Sequence, residues 1–257
     1  MCRLSTTNMT RLASSIPSRH NGEMPRCVTS MLHEANQSKV VRNENFVSSS
    51  EISLILSTIT SLDLCEYTVN HSDQINSEGV PTQSTSYVNS DNHFESKFPW
   101  LHHRLLTLIK EADMQHEWGL VPCNRDTSVS NLLSASINTR VVEFHHMEPG
   151  AQLSNMYHYD VGSLITVDIM LQEAELGGHF QTISSSGSEC IERERFLPGD
   201  ALVFQSHKYH HVTPVITGER KVLVVEYWCG EKRTCGHRCD IMHGECNFVD
   251  DYDETDA

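Results

Sequence analysis

The chain has 257 residues, of which 38% are hydrophobic, and a formal net charge of −15. That length bounds the architecture to one domain with extensions, or at most two small domains. The acidic balance excludes a phosphate-tracking nucleic-acid binder, and no apolar stretch approaches the ~20 residues needed to span a bilayer.

Residues 1–22 carry Arg3, Arg11 and Arg19, several Ser and Thr, and no acid. That composition fits an organellar transit peptide and equally a plain disordered terminus. There is no continuous apolar run of the kind a secretory signal needs. The nine cysteines are odd in number and scattered, unlike a secreted disulfide framework. An intracellular, reducing compartment, cytoplasmic by default, is the expectation. Residues 1–50 are rich in Ser, Asn, Thr and Arg with little apolar periodicity and read as mostly disordered. Glu51–Ile59 is the first apolar cluster, and its period leaves helix and strand open. Residues 70–95 are polar and turn-rich and read as a linker. Residues 1–95 are therefore expected to be largely disordered, with a short apolar element near 51–64.

Phe98-Pro99-Trp100-Leu101 opens a predicted helix, since proline suits a first helical turn. Leu101, Leu105, Leu108 and Ala112 form one stripe at helical spacing, with Ile109 beside them. The helix should end near Asp113 and cover one face of a sheet. From about residue 139 the period changes to two. Strand-like runs recur at 139–147, 163–171, 179–183, 193–197, 201–204, 209–212 and 220–228, separated by Gly, Pro, Ser and acidic residues. Many short strands at this spacing predict a sandwich or jelly roll.

The chemistry-bearing motif is Tyr157-His158-Tyr159-Asp160. A His and an Asp two positions apart point the same way on an extended backbone. With His210, the start of His210-His211-Val212-Thr213-Pro214-Val215, they supply two imidazoles and one carboxylate, the donor set of non-haem Fe(II) sites. Arg220 follows ten residues after His210. His-x-Asp alone is weak in a chain with 16 histidines; the ordered combination is much more specific.

At these residues the sequence resembles the Fe(II)/2-oxoglutarate-dependent dioxygenases, in particular the prolyl 4-hydroxylase-like branch. The likeness continues through Thr166–Leu171, Gly177-Gly178-His179-Phe180 and Pro198-Gly199-Asp200-Ala201-Leu202-Val203-Phe204, and covers roughly residues 139–228. It implies a mainly β fold with flanking helices and a double-stranded β-helix core of the jelly-roll or cupin type, here a dioxygenase domain over residues 96–230. It also implies His158, Asp160 and His210 as catalytic iron ligands. His158 and Asp160 would close one strand, with His210 on a strand of the opposing sheet. His210 rather than His211 is the ligand by its distance from Pro214, so His211 would point outward. Arg220 would bind the distal carboxylate of 2-oxoglutarate, because a guanidinium takes a carboxylate through two parallel hydrogen bonds. Thr166 would face the same cosubstrate. Met170 stands where many relatives carry a tyrosine. Asp168 shares that face, where a carboxylate repels the dianion unless it is paired or protonated.

The implied reaction is hydroxylation of an unactivated C–H by O₂, with release of succinate and CO₂, and with ascorbate as reductant. The substrate would be a protein, a peptide (a peptidyl proline among the options) or a small molecule. The alternatives are an oxoacid-independent cupin-type metal enzyme and a non-catalytic binding module. Specificity would lie on the loops at about 116–138 and 184–192. Residues 231–257 hold a Cys/His-rich segment and an acidic tail. Cys229, Cys235, His237, Cys239, His243 and Cys246 have thiolate and imidazole groups suited to zinc, but their spacing is irregular and lacks a paired Cys-x-x-Cys. The acidic tail reads as solvated.

Overall fold

The computed structural model describes residues 28–121, 137–184 and 190–238. The chain opens with helix α1 (Val28–Gln37), strand β1 (Val41–Asn43) and helix α2 (Ser49–Ser61). Strands β2 (Thr68–Asn70) and β3 (Gln83–Tyr87) follow, then the short helix α3 (His93–Lys97) and the long helix α4 (Pro99–Gln115). The remaining strands are β4 (Asn138–Met147), β5 (Leu153–His158), β6 (Ile165–Gln172), β7 (Leu176–Gly177), β8 (Phe180–Ser184), β9 (Cys190–Arg193), β10 (Ala201–Gln205), β11 (His210–Val212), β12 (Val215–Thr217) and β13 (Arg220–Trp228). A seven-stranded sheet has the order β1-β10-β6-β13-β4-β3-β2, and a four-stranded sheet the order β5-β11-β8-β9. Strands β12 and β7 form a two-stranded ribbon. Every strand pair is antiparallel. This is the two-layered, mainly β architecture expected from the period-two runs.

Strand alternation sorts the large sheet into two cores. On β13, Leu223, Val225 and Tyr227 face the helices, joined by Val142, Ile165, Val167 and Ile169 from neighbouring strands. Against them pack Leu101, Leu105, Leu108, Ile109 and Ala112 of α4, the stripe read from the sequence, with Ile55 and Ile59 of α2. The opposite face, with Met147, Met170, Leu202, Phe204 and Val222, closes on Phe180 and Val212 of the small sheet. The site lies between the two sheets.

Two sequence expectations need correction, and one left open is resolved. Residues 28–95 are not largely disordered. Strand β1 pairs with β10, and β3 pairs with β4 along five residues, so the segment read as a linker completes the main sheet. Its strands are too short and polar to show a period of their own; they are held by pairing. The run 51–59 is helical, and its start was readable: Ser48 and Glu51 form a reciprocal capping box. The strand expected at 193–197 is displaced to β9, and β5, absent from the period-two runs, is the strand expected to close near His158. Residues 1–27 and the acidic tail lie outside the described residues. Among those described, no helix is long and apolar enough to cross a membrane.

Candidate metal centre and cosubstrate cavity

Strand β5 ends at His158 and β11 begins at His210, and the two are direct cross-strand partners. They thus belong to adjacent strands of the small sheet, not to opposing sheets as the sequence had implied. Asp160 lies just past β5, where its backbone N–H donates to the Ser206 carbonyl at 2.8 Å. Asp160 Oδ1 stands 3.4 Å from His158 Nε2 and 3.8 Å from His210 Nε2. The three donor atoms all lie within 4.8 Å of one another. Donors that share one ion at ~2.0–2.2 Å must be mutual neighbours at about this range.

The supporting contacts prepare each ligand. His210 Nδ1 is 2.9 Å from the Lys208 carbonyl. A carbonyl only accepts, so Nδ1 carries the proton and the Nε2 lone pair faces Asp160. Burial lowers the His210 pKa, which favours the neutral imidazole a metal needs. Its ring stacks on Phe180, with Phe204 edge-on. Thr166 donates to Asp160 Oδ2 at 2.6 Å and is 2.8 Å from the Ser206 hydroxyl. This corrects the expectation that Thr166 faces the cosubstrate: its hydroxyl is committed to the carboxylate and orients it. Burial pushes Asp160 upward, but His210, His158 and Arg238 outweigh it and hold the carboxyl well below the usual range.

Helix α1 also serves the centre. Asn36 Oδ1 accepts from the Tyr209 N–H at 2.7 Å, and Lys208 Nζ donates to the Ser38 carbonyl at 2.8 Å. The turn before His210 is therefore clamped by a segment that the sequence reading assigned to disorder. His211 faces away from the metal donors, as alternation requires, yet it is only 7% exposed rather than outward in solvent.

A cavity of about 270 Å³ opens from the triad between the sheets. Alternation on β13 brings Arg220, Val222 and Val224 onto its wall, with Asp168 from β6 and Glu143, His145 and Met147 from β4. Arg220 lies in the large sheet, separated from His210 by β12 rather than by a simple hairpin. It is buried; among the described residues its Nη1 donates to Met147 Sδ at 3.5 Å and its Nε has no partner. Burial lowers its pKa to about 10, so the guanidinium stays charged at neutral pH. A buried cation with open donors is a receptor for an anion. Gly177 and Gly178 make room here. Both have positive φ; a Cβ on Gly177 would stand 2.1 Å from the Pro214 carbonyl oxygen, and one on Gly178 would press on Arg220 Cδ at 3.2 Å.

Asp168 does face the cavity. Burial, reinforced by Asp160, raises its pKa to about 8 despite Arg220 nearby. At neutral pH it is mostly protonated, which removes the repulsion anticipated for a dianion. Met170 is buried in the inner core and offers no hydroxyl.

Sequence reading gave no role to three groups. Gln83, with its Oε1 unpartnered, lines the cavity beside Met147 from β3. Glu226 is fully buried, and Ser163 and Arg140 donate to it. Arg238 joins them from the C-terminal segment. Only the β13 alternation signalled Glu226; nothing local signalled Gln83 or Arg238. Among the described residues Cys229 and Cys235 have no disulfide partner, while Cys239, His243 and Cys246 lie outside the described residues, as do most of the loops expected to set specificity.

No protein-family model and no curated protein sequence matches the chain. Solved structures do match. A 2OG-Fe(II) oxygenase-family oxidoreductase from Burkholderia pseudomallei superposes with a TM-score of 0.54 at 14% identity, covering 82% of this chain and 94% of that one. A prolyl hydroxylase from Trichoplax adhaerens, in complex with a hypoxia inducible factor peptide fragment, gives 0.51 at 15%, covering 78% and 88%. The alpha-ketoglutarate-dependent epimerase SnoN from nogalamycin biosynthesis gives 0.53 at 12%, covering 78% and 81%. The chain has the double-stranded β-helix fold of the 2-oxoglutarate oxygenases.

Proposed function

We propose that the protein is an Fe(II)- and 2-oxoglutarate-dependent oxygenase that hydroxylates an unactivated C–H of a peptide or small-molecule substrate. The observation that carries this reading is one cavity holding both halves of the machinery. His158, Asp160 and His210 converge at one part of it, and an unpaired, buried Arg220 lines the same space. The donor set fits iron: two imidazoles, one of fixed tautomer, and a carboxylate oriented by Thr166. When bound, the metal supplies O₂ activation at the expense of the oxoacid, which leaves as succinate and CO₂.

The chain's own share is placement. His158, Asp160 and His210 would hold the ion. Arg220 would take the distal carboxylate of 2-oxoglutarate in a water-poor pocket, where such a pair is strong. Gln83 lines the same cavity from β3. Protonated Asp168 can donate a hydrogen bond to the cosubstrate instead of repelling it. Phe180 and Phe204 shield the His210 ring from solvent. Ascorbate would serve to return oxidised iron to the ferrous state.

The test uses purified full chain with Fe(II), 2-oxoglutarate and O₂. Succinate release is expected, and Arg220→Leu should abolish 2-oxoglutarate binding by calorimetry while metal binding persists. Retention of 2-oxoglutarate affinity in Arg220→Leu would sink the assignment of that residue. Failure of the wild type to bind Fe(II) would sink the reading as a whole.

A further inference from the structure

Beyond Trp228 the chain runs back over the site as a strap, and the strap is pinned along its length. Asn138 Nδ2 donates to the Gly230 carbonyl at 2.8 Å, and the Arg233 N–H to the Thr139 carbonyl at 3.1 Å. The Asp91 N–H donates to the Thr234 carbonyl at 3.1 Å, and Asn89 Nδ2 to the Cys235 carbonyl at 3.0 Å. Gly236 passes so close to Tyr67 that a Cβ would stand 2.0 Å from its ring. So directed, the strap delivers Arg238 into the cavity. Its guanidinium meets both oxygens of Glu226, one of them at 3.0 Å, and lies 3.4 Å from Glu143 Oε1. Its Nη2 is 3.9 Å from Asp160 Oδ1, the oxygen that faces both ligand imidazoles.

The two glutamates are held in place without Arg238. Ser163 and Arg140 donate to Glu226; Arg140 reaches it because the β4–β13 register slips at Glu226/Tyr227, leaving Arg140 as the extra residue of a bulge. Glu143 Oε2 is 3.0 Å from His145 Nε2, whose Nδ1 is 3.0 Å from the Thr85 hydroxyl, itself 2.9 Å from His71 Nε2. Burial raises the Glu226 carboxyl to about 7 and a cation beside it favours the ionised form, so Glu143 and Glu226, preorganised next to the candidate metal donors, suit a planar, forked cation. Arg238 remains partly exposed and also borders the outer opening beside Tyr157 and His158. It therefore borders both the inner cavity and an outer opening.

We propose that Glu143 and Glu226 form the recognition subsite for a guanidinium group of the substrate, an arginine side chain, and that Arg238 fills this subsite in the resting chain. The proposal rests on the oxygenase reading above. Turnover would place one atom of O₂ in a C–H bond of that side chain as a hydroxyl and the other in succinate. 2-Oxoglutarate supplies the electron pair and loses CO₂.

The probe is N-acetylarginine methylamide, and its control is the neutral isostere N-acetylcitrulline methylamide. Wild type and Arg238→Ala are assayed as full chains with Fe(II) and 2-oxoglutarate. In Arg238→Ala the arginine probe should raise succinate release about tenfold more than the control, as expected for one charge-assisted recognition pair. It should also yield a product heavier by one oxygen, while the wild type shows a higher KM. Equal response to the two probes overturns the proposal. If neither protein turns over 2-oxoglutarate, the oxygenase reading fails by itself. The subsite is then read by binding of both probes to metal-free Arg238→Ala, where equal affinity overturns it and a preference for arginine upholds it. Arg238→Gln repeats the test with a longer side chain. If both variants fail to fold, Arg238 is part of the scaffold and the proposal falls.

Discussion

Thr166 and Asp168 stand two residues apart on one face of β6 and do different work. Thr166 spends its hydroxyl on Asp160, so Thr166→Val should leave the fold intact while weakening Fe(II) binding by about 10–100-fold, the usual effect of losing a ligand's orienting partner. Titration with Fe(II) under anaerobic conditions checks this; unchanged affinity would show the bond to be incidental. Asp168 faces the opposite demand, since its folded pKa of about 8 lies above its ordinary value of 3.8. A carboxyl raised on folding contributes full stability below its unfolded pKa and loses it as pH rises through the folded one. The melting temperature of metal-free Asp168→Asn should thus gain on the wild type as pH rises from about 4 to 8, by an amount equivalent to up to about 5 kcal/mol for the full shift. A difference independent of pH across that window would mean that Asp168 is ionised and paired.

At the scale of elements, α1 matters most because of what it reaches. Asn36 is buried and caps the Tyr209 N–H next to His210, while its Nδ2 donates within α1 to the Leu32 carbonyl at 2.7 Å. Asn36→Ala would leave a buried backbone donor without a partner, a cost of about 1–3 kcal/mol. Urea unfolding should report that loss, and metal affinity should fall with it because the turn carrying His210 loosens. A loss of stability with unaltered metal affinity would show that β11 positions His210 unaided. Helix α4 is the contrasting case: its apolar stripe packs on the outer face of the sheet and touches no part of the site. Its contribution is to bury β6 and β13 on their second face, which is why those strands read as near-continuous apolar runs.

For the whole molecule, the decisive feature is that the large sheet is assembled from both ends of the described chain. Strand β1 edges β10, strand β3 edges β4, and the strap after β13 is tied back to Asn89 and Asp91. A chain starting at residue 96, the boundary expected from composition, would lose β1, β3, α1 and α2 together. It should fail to fold cooperatively, with circular dichroism showing no thermal transition comparable to that of the full chain. A cooperative melt and retained Fe(II) binding in that fragment would show that the N-terminal elements are accessory.

What the sequence by itself determined was the local and the strictly patterned: the α4 stripe, most of the inner strands, and the motif that singles out His158, Asp160, His210 and Arg220 as candidates by resemblance. Those follow from side-chain period and motif spacing, which are properties of neighbours along the chain. Tertiary structure alone decided that His158 and His210 are cross-strand partners, that Thr166 serves Asp160, and that burial raises the Asp168 carboxyl. It alone brought in β1, β3, α1, Gln83 and Arg238. The physical reason is that short polar strands and lone charged side chains carry no periodic signal. Their places are set by hydrogen bonds and burial with partners often more than a hundred residues away, and those energies exist only once the sheets have closed.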